Sequence, residues 1–340
     1  MTIERDRARI VGGVRFSRTI GGPIAIWIPN LDHENWLEAM SVWGTAPRGV
    51  AARRVTRPRP GHADLAGALK YDTHDARDVL ERASARETAG RVAAGAIAKA
   101  LLARLSVEIV SHTIGVGRAV LQSAGSVPFE RIAGLPPQSR LRCVRTGLER
   151  SMIREIDAAR RAGDTIGGLF QVVVRGVPPG LGAAATGDGR LDGRLAAAIV
   201  TIPAVKAVSI GEGVAAAGLR GSRVHDEIFY ERKRGFYRRT NRSGGLEGGI
   251  STGEEIRVTG YLKPLSTLPR PLASVDLVTK KPSVATLERT DTIPILAAGV
   301  VGEAMTALVL ASACLEKFGG DSVVELRRNH RGYLRQLARF

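Results

Sequence analysis

The sequence predicts an α+β fold with antiparallel sheets. Strand-like and helix-like stretches alternate irregularly, without the strand–helix–strand rhythm of a parallel sheet. Forty glycines supply tight turns, and a hydrophobic fraction of 44% with only 4% aromatics implies an aliphatic core. A chain of 340 residues with this content buries a large core, and neither an internal repeat nor a linker divides it, so residues 1–340 read as a single domain.

Each element has its own cause. Val11–Ile28 alternates apolar and polar residues between glycine breaks, the pattern of a hairpin. Pro29–Ala63, rich in Pro, Gly, Arg and Trp, reads as a long loop, which in a compact domain carries function or is disordered. Asp75–Leu105 lacks proline, is rich in alanine and has apolar residues at helical spacing, which predicts one helix. The β-branched Val107–Val116 predicts a strand, and Gly125–Arg142 a connector. Ser151 is the expected cap of a helix running to Ala162, with Gly163 as its stop. Leu169–Val177 follows as a strand, Leu191–Ile202 as a helix and Ala204–Ile210 as a strand. Gly244–Gly253 is a glycine-rich turn region, Ile256–Leu262 a strand and Val275–Val278 a candidate strand. The apolar run Ile293–Leu315 completes the series as a helix.

That run is long enough to cross a bilayer. Glu303 at its middle is costly in lipid, and the run continues directly into Glu316 and Lys317, so a buried core helix is expected. Two cysteines, Cys143 and Cys314, are too few for a disulfide framework, and Met1–Ile10 is charged, without an apolar signal core; both favour a cytoplasmic chain. The formal charge of +17 suits nucleic acid, an acidic membrane surface or small polyanions. The arginines are scattered in short clusters such as Arg53-Arg54, Arg160-Arg161 and Arg232-Lys233-Arg234. Aromatic residues are too few for a base-stacking platform, which argues against nucleic acid.

Five stretches carry chemistry. Arg57-Pro58-Arg59-Pro60-Gly61-His62-Ala63-Asp64 combines bidentate guanidinium groups, a rigid turn and a histidine, suited to a phosphorylated or carboxylated ligand or to a solvated loop. In Leu80-Glu81-Arg82-Ala83-Ser84-Ala85-Arg86-Glu87-Thr88, helical spacing puts two arginines on one face beside Ser84, as an anion site or a surface ion-pair lattice. Asn241–Gly253 offers bare backbone N–H groups for an anion or a flat ring, without matching a Walker loop or a dinucleotide fingerprint. Lys263-Pro264-Leu265-Ser266-Thr267 places a cation and two hydroxyls after a strand. Arg289-Thr290-Asp291 stands before the apolar helix, either as a reactive triplet or as its cap. His33, His74, His112, His225 and His330 show no metal-ligand spacing, so no metal is expected.

In this order, RPGHAD, LERASARET, NRSGGLEGG, KPLST and RTD resemble chorismate synthase, over nearly the whole chain from Gly12 to Leu337. The resemblance implies a β-α-β sandwich with antiparallel sheets and helices. It implies a carbon–oxygen lyase of the shikimate pathway of aromatic amino acid biosynthesis, a flavoprotein converting 5-enolpyruvylshikimate 3-phosphate to chorismate and phosphate with reduced FMN. By the same resemblance, His62 protonates reduced flavin and Asp291 helps to remove its N5 proton, while Arg59 and Arg86 contact substrate anions. Arg82, Ala83, Ser84, Ala204, Gly248, Lys263, Pro264, Leu265, Ser266, Thr267 and Arg289 line the flavin. A homotetramer is implied, with neither nucleic acid nor membrane as partner.

Two family motifs are missing: an N-terminal strand ending in Gly-Glu-Ser-His-Gly, and an arginine-rich Gly-Arg-Gly-x-Arg-Met loop. The loop positions are those associated with NADP in bifunctional relatives, so an external flavin reductase is expected. A misplaced start or a shortened chain is the favoured explanation. A paralogue that keeps the fold and flavin site as a non-catalytic assembly subunit is the alternative. The missing histidine is the family's general acid, so a chain truly without it is expected to turn over ~10²–10⁴-fold more slowly.

Overall fold

The computed structural model describes residues 6–44, 54–136, 138–232 and 234–340. The start of the charged N-terminus, part of the long loop with Arg53, and Lys233 lie outside the described residues. The chain forms two compact units: Met1–Ala93 with Gly163–Thr165 and Leu265–Asp291, and Ala94–Ala162 with Ile166–Pro264 and Thr292–Phe340.

The second unit is built on a five-stranded sheet in the order Ala119–Val120, Glu108–Val116, Gly168–Arg175, Ile256–Leu262, Val205–Ile210. Every pairing in it is antiparallel, which bears out the α+β reading. Its β-branched runs suit a sheet buried on both faces. One face packs on the helix Ile295–Phe318, and the approach is so close that it depends on glycine. A Cβ on Gly302 would stand 2.5 Å from the Phe170 ring, and one on Gly260 2.4 Å from it. The other face carries Val173, packed with Ile114, Phe129 and Ile132 of the connector side. The same alternation brings His112, Gln171, Thr259 and Ser209 into one cross-strand row.

Ile295–Phe318 is a core helix, more than half of its apolar window buried, as expected. Asp291 does not cap it: the cap position is Pro294, without a side-chain hydrogen bond. The helix assigned to Ser151 starts earlier, at Thr146, and Ser151 sits inside it, its hydroxyl donating to the Gly147 carbonyl at 3.3 Å. Its stop is as expected, with Gly163 at a φ of 68°. The turn region of Gly244–Gly253 contains a hairpin, Leu246–Glu247 against Ile250–Ser251, joined by Gly248 and Gly249 at φ 57° and 84°. Two successive positive φ values are the demand of a type I′ turn, which glycine meets without strain. A last helix, Val323–Leu337, starts at Ser322, whose hydroxyl accepts the Glu325 N–H.

In the first unit the N-terminal hairpin is nested. Arg9–Gly12 pairs with Ala25–Trp27, and Val14–Arg15 with Arg18–Thr19 inside it. The small core is Val55, Ala68, Ala76 and Leu277. The candidate strand at Val275 is Ala273–Val275, paired with Pro282–Val284. The single helix expected over Asp75–Leu105 is divided into Arg77–Arg82 and Glu87–Ala103, and a further helix, Asp64–Lys70, precedes them. At the break the Ser84 hydroxyl accepts the Arg86 backbone N–H at 3.3 Å, giving the chain a local partner in place of a helical carbonyl. Arg82 and Arg86 therefore do not share a helix face.

Candidate active site

The RPGHAD stretch closes on itself around one carboxylate. Gly61, at φ 77°, lets the loop turn sharply before Asp64 begins the helix Asp64–Lys70. Asp64 is fully buried, and its Oδ2 accepts the Arg59 backbone N–H at 3.0 Å and Nε at 2.8 Å. Oδ1 lies 3.0 Å from Arg59 Nη2 and 2.5 Å from His62 Nδ1. Burial alone would raise the Asp64 carboxyl; hydrogen bonds from His62 and Arg59 outweigh it and hold the group well below the usual carboxylate range.

Arg59, 7% exposed, also donates Nη1 to the Thr267 hydroxyl at 2.8 Å, and Ser266 Oγ donates to the Gly61 carbonyl at 2.8 Å. Two sequence motifs distant along the chain, RPGHAD and the end of KPLST, thus meet in the first unit. Nε, Nη1 and Nη2 of Arg59 commit three of the five guanidinium N–H groups to Asp64 and Thr267, and Nη2 also lies 3.5 Å from His62 Nε2. Leu265 is tied down through its carbonyl, which accepts the Thr165 hydroxyl at 2.7 Å.

The other predicted residues of this unit are placed as follows. Arg82 ends its helix exposed, with Ala83 and Ser84 half-buried in the turn after it. Arg86 donates to the Pro29 carbonyl at 2.8 Å and pairs with Asp6 at 3.4 Å. Arg289 and Asp291 are exposed. No hydrogen bond or ion pair joins the Asp291 carboxylate to any of the described residues, His62 included.

In the second unit, Ala204 adopts φ 70°, a left-handed conformation unusual for alanine, and its carbonyl accepts the Lys263 N–H at 2.9 Å. Burial, and then the neighbouring Lys206, push the Lys263 ammonium down from its ordinary value. Pro264 is exposed, and Gly248 stands at the exposed tip of its hairpin with open space where a Cβ would be.

Sequence reasoning missed Asp64 and Lys206 as parts of these constellations. Asp64 had a signal, since it follows His62 by two positions in the same motif. Lys206 had none beyond its nearness to Ala204.

An antiparallel α+β chain with a buried carboxylate behind a partly exposed histidine, both held by the Arg59 guanidinium, has the make-up of an enzyme for small anionic molecules. Its relatives narrow that class. The family model described as chorismate synthase matches residues 1–315. A chorismate synthase of Solibacter usitatus is 54% identical over 341 residues, covering 100% of this chain and 87% of the relative. One from Koribacter versatilis is 51% identical over 349 residues, covering 100% and 88%. A solved structure, described as the crystal structure of chorismate synthase, superposes with a TM-score of 0.77 at 35% identity, covering 98% of this chain and 86% of the other. The chain belongs to the chorismate synthase family, lyases of the shikimate pathway.

Proposed function

We propose that this chain catalyses the 1,4-elimination of phosphate from 5-enolpyruvylshikimate 3-phosphate, giving chorismate, with reduced FMN bound. The observation that carries the reading is the buried Asp64 behind His62, locked by Arg59. Such an arrangement holds a proton at a defined atom beside cationic groups.

The residues present fit a phosphate-bearing cofactor. Lys263 is desolvated beside a second cation, Lys206, an arrangement that an anion relieves. By family likeness, Arg82, Ala83, Ser84, Ala204, Gly248, Lys263 to Thr267 and Arg289 would hold the flavin. Bound reduced FMN supplies transient electron density for C–O cleavage without net redox change. The chain's own residues then position and neutralise. Arg59 and Arg86 face the carboxylates and phosphate of the substrate, His62 holds a proton toward the flavin, and Asp291, exposed and without a structural partner among the described residues, accepts one.

The family match spans both compact units, which supports reading residues 1–340 as one domain. A cytoplasmic homotetramer supplied by an external flavin reductase completes the proposal, and light scattering tests the assembly. The activity test is anaerobic phosphate release with chemically reduced FMN. Release that falls ~10²-fold or more in His62→Ala supports the reading. Release that His62→Ala leaves unchanged, or none from the parent chain, refutes it.

A further inference from the structure

We propose that Asp64 is the positioning residue for His62: its carboxylate keeps a proton on Nδ1 and so makes Nε2 the ring nitrogen that exchanges protons in the site. The inference rests on the functional reading above and deepens it, by naming the atom that works and the group that chooses it.

An ionised carboxylate only accepts hydrogen bonds. Asp64 receives Arg59 Nε and the Arg59 backbone N–H on Oδ2, and Arg59 Nη2 on Oδ1, a charge-assisted set that demands the ionised form. His62 Nδ1, at 2.5 Å from Oδ1, must then be a donor. Arg59 Nη2 also lies 3.0 Å from Nδ1, but two donors cannot bond each other, so its hydrogen goes to Oδ1. Exposure separates the two ring nitrogens as well. Asp64 is 0% exposed and the His62 side chain 23%, so the Nδ1 proton is sealed against the carboxylate, whereas Nε2 has only a long contact of 3.5 Å from Arg59 Nη2, compatible with its being the unprotonated, accepting nitrogen. Thr267, by holding Arg59 Nη1 at 2.8 Å, keeps the guanidinium aligned with the carboxylate. Orientation of an imidazole by a buried acid is a recognised way of fixing its tautomer.

Asp64→Asn reverses the polarity at one atom. Arg59 brings two donors to the Oδ2 position, so the amide oxygen belongs there. The amide NH₂ then faces His62 Nδ1, which can only accept, and the ring proton moves to Nε2.

The test is ¹⁵N spectroscopy of the six histidines, with the His62 signals assigned through a His62→Gln variant, alongside kinetics. In the parent chain neutral His62 is expected with its proton on Nδ1. In Asp64→Asn the proton is expected on Nε2, with kcat reduced ~10²–10⁴-fold and flavin affinity unchanged. A parent-chain spectrum with the proton on Nε2 overturns the inference, as does an Asn variant whose kcat matches the parent. Should Asp64→Asn fail to fold, the parent-chain spectrum decides alone. Failure of the functional reading is separable, because His62→Ala with full phosphate release removes the activity assignment while the tautomer measurement still stands or falls by itself.

Discussion

Lys99 Nζ lies 2.6 Å from Glu303 Oε2, and the other oxygen of that carboxylate takes the Ser111 hydroxyl at 2.7 Å. The acid at the middle of the most apolar helix is therefore fully occupied inside the second unit. Its side chain is 14% exposed and that of Lys99 39%, so solvent screens the pair on the lysine side. Removing the carboxylate strands a half-buried cation and a hydroxyl. Glu303→Leu is expected to cost about 1–3 kcal/mol by urea unfolding, since water can reach the Lys99 left behind, and Lys99→Met at least as much, because it leaves the less exposed carboxylate without its cation.

The close seating of the same helix on the sheet gives a second expectation. Gly302→Ala gains up to about 1 kcal/mol of helix propensity but places a methyl 2.5 Å from the Phe170 ring. Overpacking wins, with a net loss of about 1–3 kcal/mol. Combined with Phe170→Leu, which opens space at the ring, the double variant should lose less than the sum of the two single losses.

His112 predicts how stability responds to acid. Burial, against a weak hydrogen bond that Nε2 donates to Gln171 Oε1 and with Arg257 and Arg142 nearby, lowers the imidazole from 6.5 to about 4. Between these values the unfolded chain binds a proton that the folded chain does not. The contribution of His112 is therefore complete above pH 6.5 and is lost as pH falls toward 4, roughly 3 kcal/mol over that window. Denaturation curves of His112→Gln should show a flatter acid limb than those of the parent; an unchanged slope refutes the assignment.

Asp291 separates chemistry from stability. Its exposed carboxylate makes no hydrogen bond within the described residues, so Asp291→Asn should shift unfolding by less than about 0.5 kcal/mol. Turnover should nonetheless fall, ~10²-fold or more, in the phosphate-release assay.

The long elements were legible because local pattern and tertiary environment agree in them. Ile256–Leu262 forms the strand that its sequence predicts, residue for residue, and Glu108–Val116 differs from expectation by one position. The break after Arg82 was not legible, because helix propensity across Ala83–Arg86 is good and only the Ser84 hydroxyl, a local competitor, reveals the turn. The helix start at Thr146 is hidden for the opposite reason: Ser151 has the chemistry of a cap but bonds backward to Gly147. Val323–Leu337 was missed although Ser322 and Glu325 have capping-box spacing. Among candidate site residues, motif likeness names His62 and Arg59 but not their common partner. Asp64 becomes visible only when the loop is closed and its two oxygens can be seen sharing their donors.

All three side chains of that arrangement come from six consecutive residues, Arg59 to Asp64, with Pro60 stiffening the turn between them. Closing so short a segment costs little chain entropy. The geometry around Asp64 is thus largely a product of local sequence, and the distant Thr267 secures it from outside that segment.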